Sequence, residues 1–336
     1  MRILRYVGKR LIFIVPQLFG IILVSFLLVK MIPGDPAVLM LGPFATEEQL
    51  AKLRAEMGIE GTVLDQFWIY LKNLVQGDLG TSWQTTQPVL LDLFQRFPAT
   101  LELITISLFL ALAIGIPLGV AAAYFKRSMV KKFSDYYGLL AGALPDFWLG
   151  LVLIFFFYTL LGWAPAPLGR LDIAIIPPTP HTNFLIIDSL IEGNWQALWS
   201  ALGRLILPVV TLGLINAGPI LKMTQSTMER MLESDFIRYA DTCGLPRSVV
   251  IRRALRNSLP SIVTIVSVLY GFLIGGAVLV EIVFSWGGAG QYAVQGVLNA
   301  DINPVLGFVL FSAIFSLVIY LIVDLIYFAI DPRIRS

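Results

Sequence analysis

Apolar residues gather into six long runs along this 336-residue chain: roughly Leu11–Val29, Thr100–Ala123, Gly138–Leu161, Leu205–Leu221, Ser261–Val283 and Val305–Ile330. At about 1.5 Å rise per residue, a helix of some 19 residues crosses the ~30 Å hydrocarbon core of a bilayer. The pattern therefore predicts six transmembrane helices. Arg2, Arg5, Lys9 and Arg10 ahead of the first run give it a basic start like that of a signal peptide. The run is too long for a signal core, however, and no small-x-small cleavage site follows, so it reads as a retained span.

The polar stretches have patterns of their own. In the insert 32–98, Pro33, Gly34, Asp35 and Pro36 break the first helix. Thr46 with Gln49 predicts a capping box for a short helix that Gly58 ends. A second helix over Val63–Val75 places Leu64, Phe67, Trp68, Leu71, Leu74 and Val75 on one face, and Gly77–Gly80 turns the chain. The loop Gly162–Ala201 is stiffened by Pro165, Pro167, Pro177, Pro178 and Pro180 and carries Trp163, Trp195 and Trp199.

The most ordered polar stretch is Asp235–Pro260, DFIRYADTCGLPRSVVIRRALRNSLP. Phe236, Ile237, Ala240 and Cys243 recur at helical spacing, with Ser234 or Asp235 placed to cap the helix. Gly244 suits a left-handed C-terminal turn, and Pro246 suits the first turn of a second helix bearing Arg247, Arg252, Arg253 and Arg256. Two helices between apolar spans imply a docking element rather than a tether.

Composition and charge sharpen this picture. The chain is 57% hydrophobic and 14% charged, against roughly 25% charged in soluble domains, which excludes a water-soluble globule. Of the 24 lysines and arginines, 17 fall in the N-terminal tail, the segments 124–137 and 222–259, and the C-terminal tail. If the spans alternate, all 17 share one side, which places both termini in the cytoplasm. A net charge of +2 gives no reason to expect nucleic acid. A lone Cys243 excludes an intrachain disulfide, and a lone His181 excludes a multi-histidine metal site.

No GxxxxGK[ST], HExxH, CxxC or GxSxG motif occurs, so catalytic, cofactor-binding and metal residues are not expected in this chain. Charges within or beside the spans are few: Glu102, Glu281 and Asp324. Each must face protein, water or an interface. Glycine and proline punctuate the spans, and Pro208, Gly218, Pro219, Gly275 and Gly276, with Glu281, are the candidates for pathway or gate.

Ala240 and Gly244 match the Ala-x3-Gly core of the cytoplasmic loop of bacterial ABC importer permeases, and Ala254–Pro260 matches its peptide-permease ending. MIPGDPA (31–37), GDLGTS (77–82), PATLEL (98–103), IGIPLG (114–119), GGAVLVEIVFSW (275–286) and VDLIYFAIDPRIR (323–335) extend the likeness over nearly the whole chain. The chain thus resembles the B-type permeases of the dipeptide, oligopeptide and nickel ABC importer family. Tyr239 and Arg238 depart from the commoner loop motif, and Gly287 and Ala289 from the usual proline and leucine after Trp286.

The resemblance implies an all-α, type I ABC importer transmembrane fold with six spans. Its parts are a tail and first span (1–31), an external insert (32–98), a transmembrane domain (94–330) holding the cytoplasmic loop 222–259, and a tail (331–336). It implies a second, homologous permease, two cytoplasmic ATPase subunits that carry ATP and Mg, an extracytoplasmic solute-binding protein, and residence in the bacterial inner membrane. Asp235, Tyr239, Ala240, Gly244, Leu245 and Arg247 would couple to the ATPase, while the basic residues Arg247, Arg252 and Arg253 have anionic lipid as an alternative partner. Trp286, Gly287, Gly288 and Gly290 would meet the binding protein. GRLDIAIIPPTP (169–180) resembles a loop of dipeptide-type members, which favours short peptides over nickel chelates, glutathione or oligosaccharides. A secondary transporter is the rival class, though the inverted half-helices typical of many such proteins are not evident.

Overall fold

A computed structural model describes residues 2–31, 36–42, 44–56 and 61–330. The helices run α1 Arg2–Lys30, α2 Pro36–Leu41, α3 Glu47–Glu56, α4 Val63–Val75, α5 Val89–Tyr124, α6 Met129–Ala143 and α7 Asp146–Leu153, the last continuing as a π-helix over Ile154–Leu160. There follow α8 Leu185–Glu192, α9 Trp195–Leu232, α10 Asp235–Thr242, α11 Arg247–Val283, α12 Ala289–Leu298 and α13 Ile302–Ile330. Among the described residues the only β pairing is an isolated bridge, Thr81 to Pro88.

Among the described residues, five helices are long and apolar enough to cross a membrane: Ile12–Lys30 within α1, α5, α9, α11 and Ile302–Leu325 within α13. The third predicted span differs from expectation. It is broken between α6 and α7 by a 104° bend, and counts as a sixth span only if the bent pair is one crossing. Pro145 explains the break: it has no N–H for the Ala141 carbonyl and disfavours helical conformation at Leu144, whose ψ is 133°.

Other boundaries also shift. α5 begins at Val89, inside the expected insert. The segment 124–137 is mostly helix, because Ser128 caps α6 by accepting from the Lys131 amide. The loop 162–201 contains α8 and yields Trp195 and Trp199 to the first turns of α9. The helix α12 after Trp286 was not anticipated. The Thr46–Gln49 box forms as expected, with reciprocal bonds of 3.0 and 3.3 Å. Pro33, Gly34, Asp35, Gly58 and the tail 331–336 lie outside the described residues.

The chain divides into two compact units, residues 1–99 with 287–317, and 100–286 with 318–336. In the first, α4 seats Phe67 against Phe26 and Phe19 of α1, at 5.3 and 6.1 Å between ring centroids. Leu64, Trp68 and Val75 of the same stripe stay exposed, as expected for a surface turned to lipid or another subunit. The GDLGTS turn is pinned by two buried carboxylates. Ser82 donates to Asp301 at 2.6 Å, and Thr85 and Tyr292 donate to Asp92 at 2.5 and 2.7 Å.

In the second unit the core is α9 with α5, α6, α7 and α11 around it. Small residues let the helices approach closely. A Cβ on Gly115 would lie 2.9 Å from the Ala217 carbonyl of α9, and one on Gly119 would lie 2.8 Å from that of Leu221. At about 1.5 Å per residue the 38-residue α9 and 37-residue α11 exceed 50 Å, so both project past the hydrocarbon core. Those projecting ends carry α10.

Candidate functional site

Helix α10 lies across a cradle made by its own unit. Ile237 and Ala240 are buried at 1% and 3% exposure, packed with Ala123 of α5, Met228 of α9, and Val250 and Ala254 of α11. The opposite face carries Asp235, Phe236, Arg238 and Tyr239, all exposed, with Tyr239 at 73%. An eight-residue helix has little stability of its own, so this packing is what holds it.

Gly244 ends the helix as its sequence position predicted, at φ +72°. The Gly244 amide donates to the Asp241 carbonyl at 2.9 Å and the Leu245 amide to that of Ala240 at 3.2 Å, the two bonds of a Schellman motif. Leu245 packs beside Ala240 in the cradle, the apolar contact that accompanies this turn. Ser234 occupies the N-cap position but its hydroxyl donates back to Met231, so the expected side-chain cap is absent. Pro246 precedes α11 as its N-cap rather than entering its first turn, and Arg247 begins the helix. Two ion pairs brace the α9 end beneath the cradle: Lys126–Glu233 and Lys131–Glu229, each 2.6 Å. Lys126 holds the Glu233 carboxyl below its ordinary value.

At the other end of the second unit, sequence reasoning named Glu102 and Glu281 but missed their partners. Glu281 is fully buried and accepts from the Thr100 hydroxyl at 2.5 Å. Glu102 accepts from the Ile186 amide at 3.0 Å and lies 3.9 Å from the Arg170 guanidinium. Burial pulls Arg170 down from its ordinary value, while Glu102, Glu281 and Asp188 push it back up. Arg204 of α9 fixes the same loop, donating to Asp172 and to the Ala166 carbonyl, both at 2.8 Å. The GRLD segment is therefore tied down by charge. Spacing alone could not signal this, because Arg170 stands 68 residues from one carboxylate and 111 from the other.

A family profile described as "Binding-protein-dependent transport system inner membrane component" matches residues 115–336. The chain belongs to that family. The profile for the N-terminal part of such membrane components matches residues 3–104. Over 316 residues the chain is 39% identical to a probable D,D-dipeptide transport system permease protein of Escherichia coli K12, covering 94% of this chain and 93% of that one. It is 35% identical over 333 residues to a dipeptide transport system permease protein of Alkalihalophilus pseudofirmus, covering 99% of each. It is 38% identical over 333 residues to a dipeptide transport system permease protein of Haemophilus influenzae, covering 98% of this chain and 99% of that one.

In this inner membrane component the remaining sequence candidates fall in distinct settings. Pro208 and Gly218 are buried in α9, and a Cβ on Gly218 would lie 2.7 Å from that of Ala141, so this glycine permits the α6–α9 contact. Pro219 is half-buried, and Tyr137 donates to the Leu214 carbonyl near it at 2.5 Å. Gly275 faces open space on α11, and Gly276 lies beside Asp146, a membrane-segment carboxylate that sequence reasoning overlooked. Trp286 is 2% exposed and its amide donates to the Glu281 carbonyl at 2.7 Å. Gly287, at φ +73°, donates its amide to the Gln291 side chain, Gly288 caps α12, and Gly288 and Gly290 are buried.

Proposed function

We propose that this permease subunit imports short peptides, forming half of a pathway with a second, homologous permease and working by alternating access. Two cytoplasmic ATPase subunits, which hold ATP and Mg, drive it, and an extracytoplasmic binding protein delivers the solute. The near full-length likeness to dipeptide permeases supports the peptide reading. The observation that carries the coupling is the two-faced α10, with Ile237 and Ala240 fastened inward and Phe236 and Tyr239 bare outward.

On this reading the exposed face of α10 sits in a groove of the ATPase, contacted by Asp235, Tyr239 and the turn Gly244–Arg247. Ala240 contributes by anchoring the helix to its cradle. Closure of the ATPase pair moves α10, and the cradle passes that movement to α5, α9 and α11, a rigid-body transition between inward-open and outward-open states. On this reading the bent α6–α7 pair counts as one of six spans, so both termini share a side, and the lysine and arginine distribution supports the cytoplasm as that side, with α10 there too.

The test is ATP hydrolysis by the reconstituted permease–ATPase complex with its binding protein, empty or loaded with di- to pentapeptides. Stimulation by the peptide-loaded binder is expected. Stimulation by another solute alone removes the peptide reading and leaves the importer. No stimulation by any loaded binder, in an assembled and active complex, removes the coupling mechanism.

A further inference from the structure

The break between α6 and α7 falls near the middle of the 129–160 run, where a lipid-facing backbone could not remain unsatisfied. Pro145 has no amide to give Ala141, and the amides that would serve Gly142 and Ala143 belong to α7, turned 104° away. Only the last link survives, from the Leu144 amide to the Leu140 carbonyl at 3.1 Å. Non-helical backbone at this depth is tolerated where it is buried in protein or lines water.

Asp146 stands at the same break. Its carboxylate is half-buried, and among the described residues it takes part in no hydrogen bond or ion pair. Every other carboxylate described above in this unit has a partner. Opposite it lies Gly276 of α11, whose added Cβ would sit 3.9 Å from Asp146 Oδ2. Gly142, close to the break on α6, and Gly275, next to Gly276 on α11, have nothing within 4 Å of an added Cβ. An unpaired intramembrane carboxylate marks a functional site by default.

We propose that Asp146, with the donor-free carbonyls at the end of α6, forms a subsite for the α-ammonium group of the peptide in transit. The chemistry selects this ligand. The site offers one full negative charge and several carbonyl oxygens, and a primary ammonium has three N–H donors to distribute among them. No group of three or more His, Cys, Asp or Glu suited to a metal ion occurs among the described residues. An α-ammonium is common to unblocked peptides whatever their side chains, so the subsite favours peptides without choosing among them.

The inference rests on the peptide reading, and its test separates the two. Single-turnover uptake is measured in proteoliposomes holding the complete complex, for a dipeptide and for its N-acetylated form, each normalised to loaded binding protein. In Asp146→Asn the ratio of free-amine to acetylated uptake is expected to fall about tenfold, in the range of a lost charge-assisted hydrogen bond. Asp146→Glu should keep the ratio. Asp146→Ser carries the test if the Asn complex does not assemble. An unchanged ratio, or an equal loss for both peptides, overturns the subsite while leaving peptide import standing. A wild-type complex that imports neither peptide but responds to another solute overturns the peptide reading and the subsite with it.

Discussion

Replacing Ile237 by alanine tests whether α10 acts as a lever. The helix has eight residues and only two buried side chains, and Ile237 supplies most of the apolar surface. Truncating a buried isoleucine to alanine costs about 2–5 kcal/mol where the site cannot collapse, and the flanking α9 and α11 keep this cradle open. Since about 1.4 kcal/mol is a factor of ten, local opening of α10 should rise roughly 30- to 4,000-fold. The long helices on either side retain their own packing, so insertion and assembly should survive. Amide exchange over residues 235–245 in the nucleotide-free complex reads the opening directly. Peptide uptake per ATP hydrolysed, measured on the same preparation, reads the coupling and should drop sharply. In the permease without its ATPase, Tyr239→Ala, which removes an exposed ring, should leave the exchange unchanged. If exchange accelerates while uptake per ATP is normal, α10 does not transmit the stroke. If exchange does not accelerate, Ile237 does not hold the helix.

Two further outcomes follow from the charges. Arg170→Ala leaves Glu102 and Glu281 without their shared cation, and breaking a buried pair costs about 3–5 kcal/mol. Because Arg170 keeps 23% of its side chain exposed, the lower end is expected, seen as a reduced melting temperature that adding Glu102→Gln partly restores; an unchanged melting point would show that the cluster contributes nothing. Arg127→Cys in a Cys243→Ser background places one thiol on the exposed α5–α6 turn. An impermeant maleimide should label it only after permeabilisation, and labelling of intact cells would refute the cytoplasmic placement of that turn.

Much of this protein was legible in one dimension. Apolar run length alone located the spans α1, α5, α9, α11 and α13, because lipid offers a backbone almost no alternative to a closed helix. Gly244 was equally readable, since a left-handed turn strongly favours glycine and the Schellman bonds follow from it. The capping pair Thr46–Gln49 is a local geometry that four residues suffice to specify. The 104° break could not be measured from composition: Pro145 hints at it, but only the packing of α7 on α9 and α11 sets the direction. The two faces of α10 were also undecided, because Phe236, Ile237, Ala240 and Cys243 share the helical spacing while only Ile237 and Ala240 meet a cradle assembled from three distant helices. The partnership of Arg170 with Glu102 and Glu281, and the lack of a partner for Asp146 among the described residues, belong entirely to tertiary structure. A charge at a sequence position carries no record of its neighbours, and for a buried charge the neighbours decide whether it braces the fold or waits for a ligand.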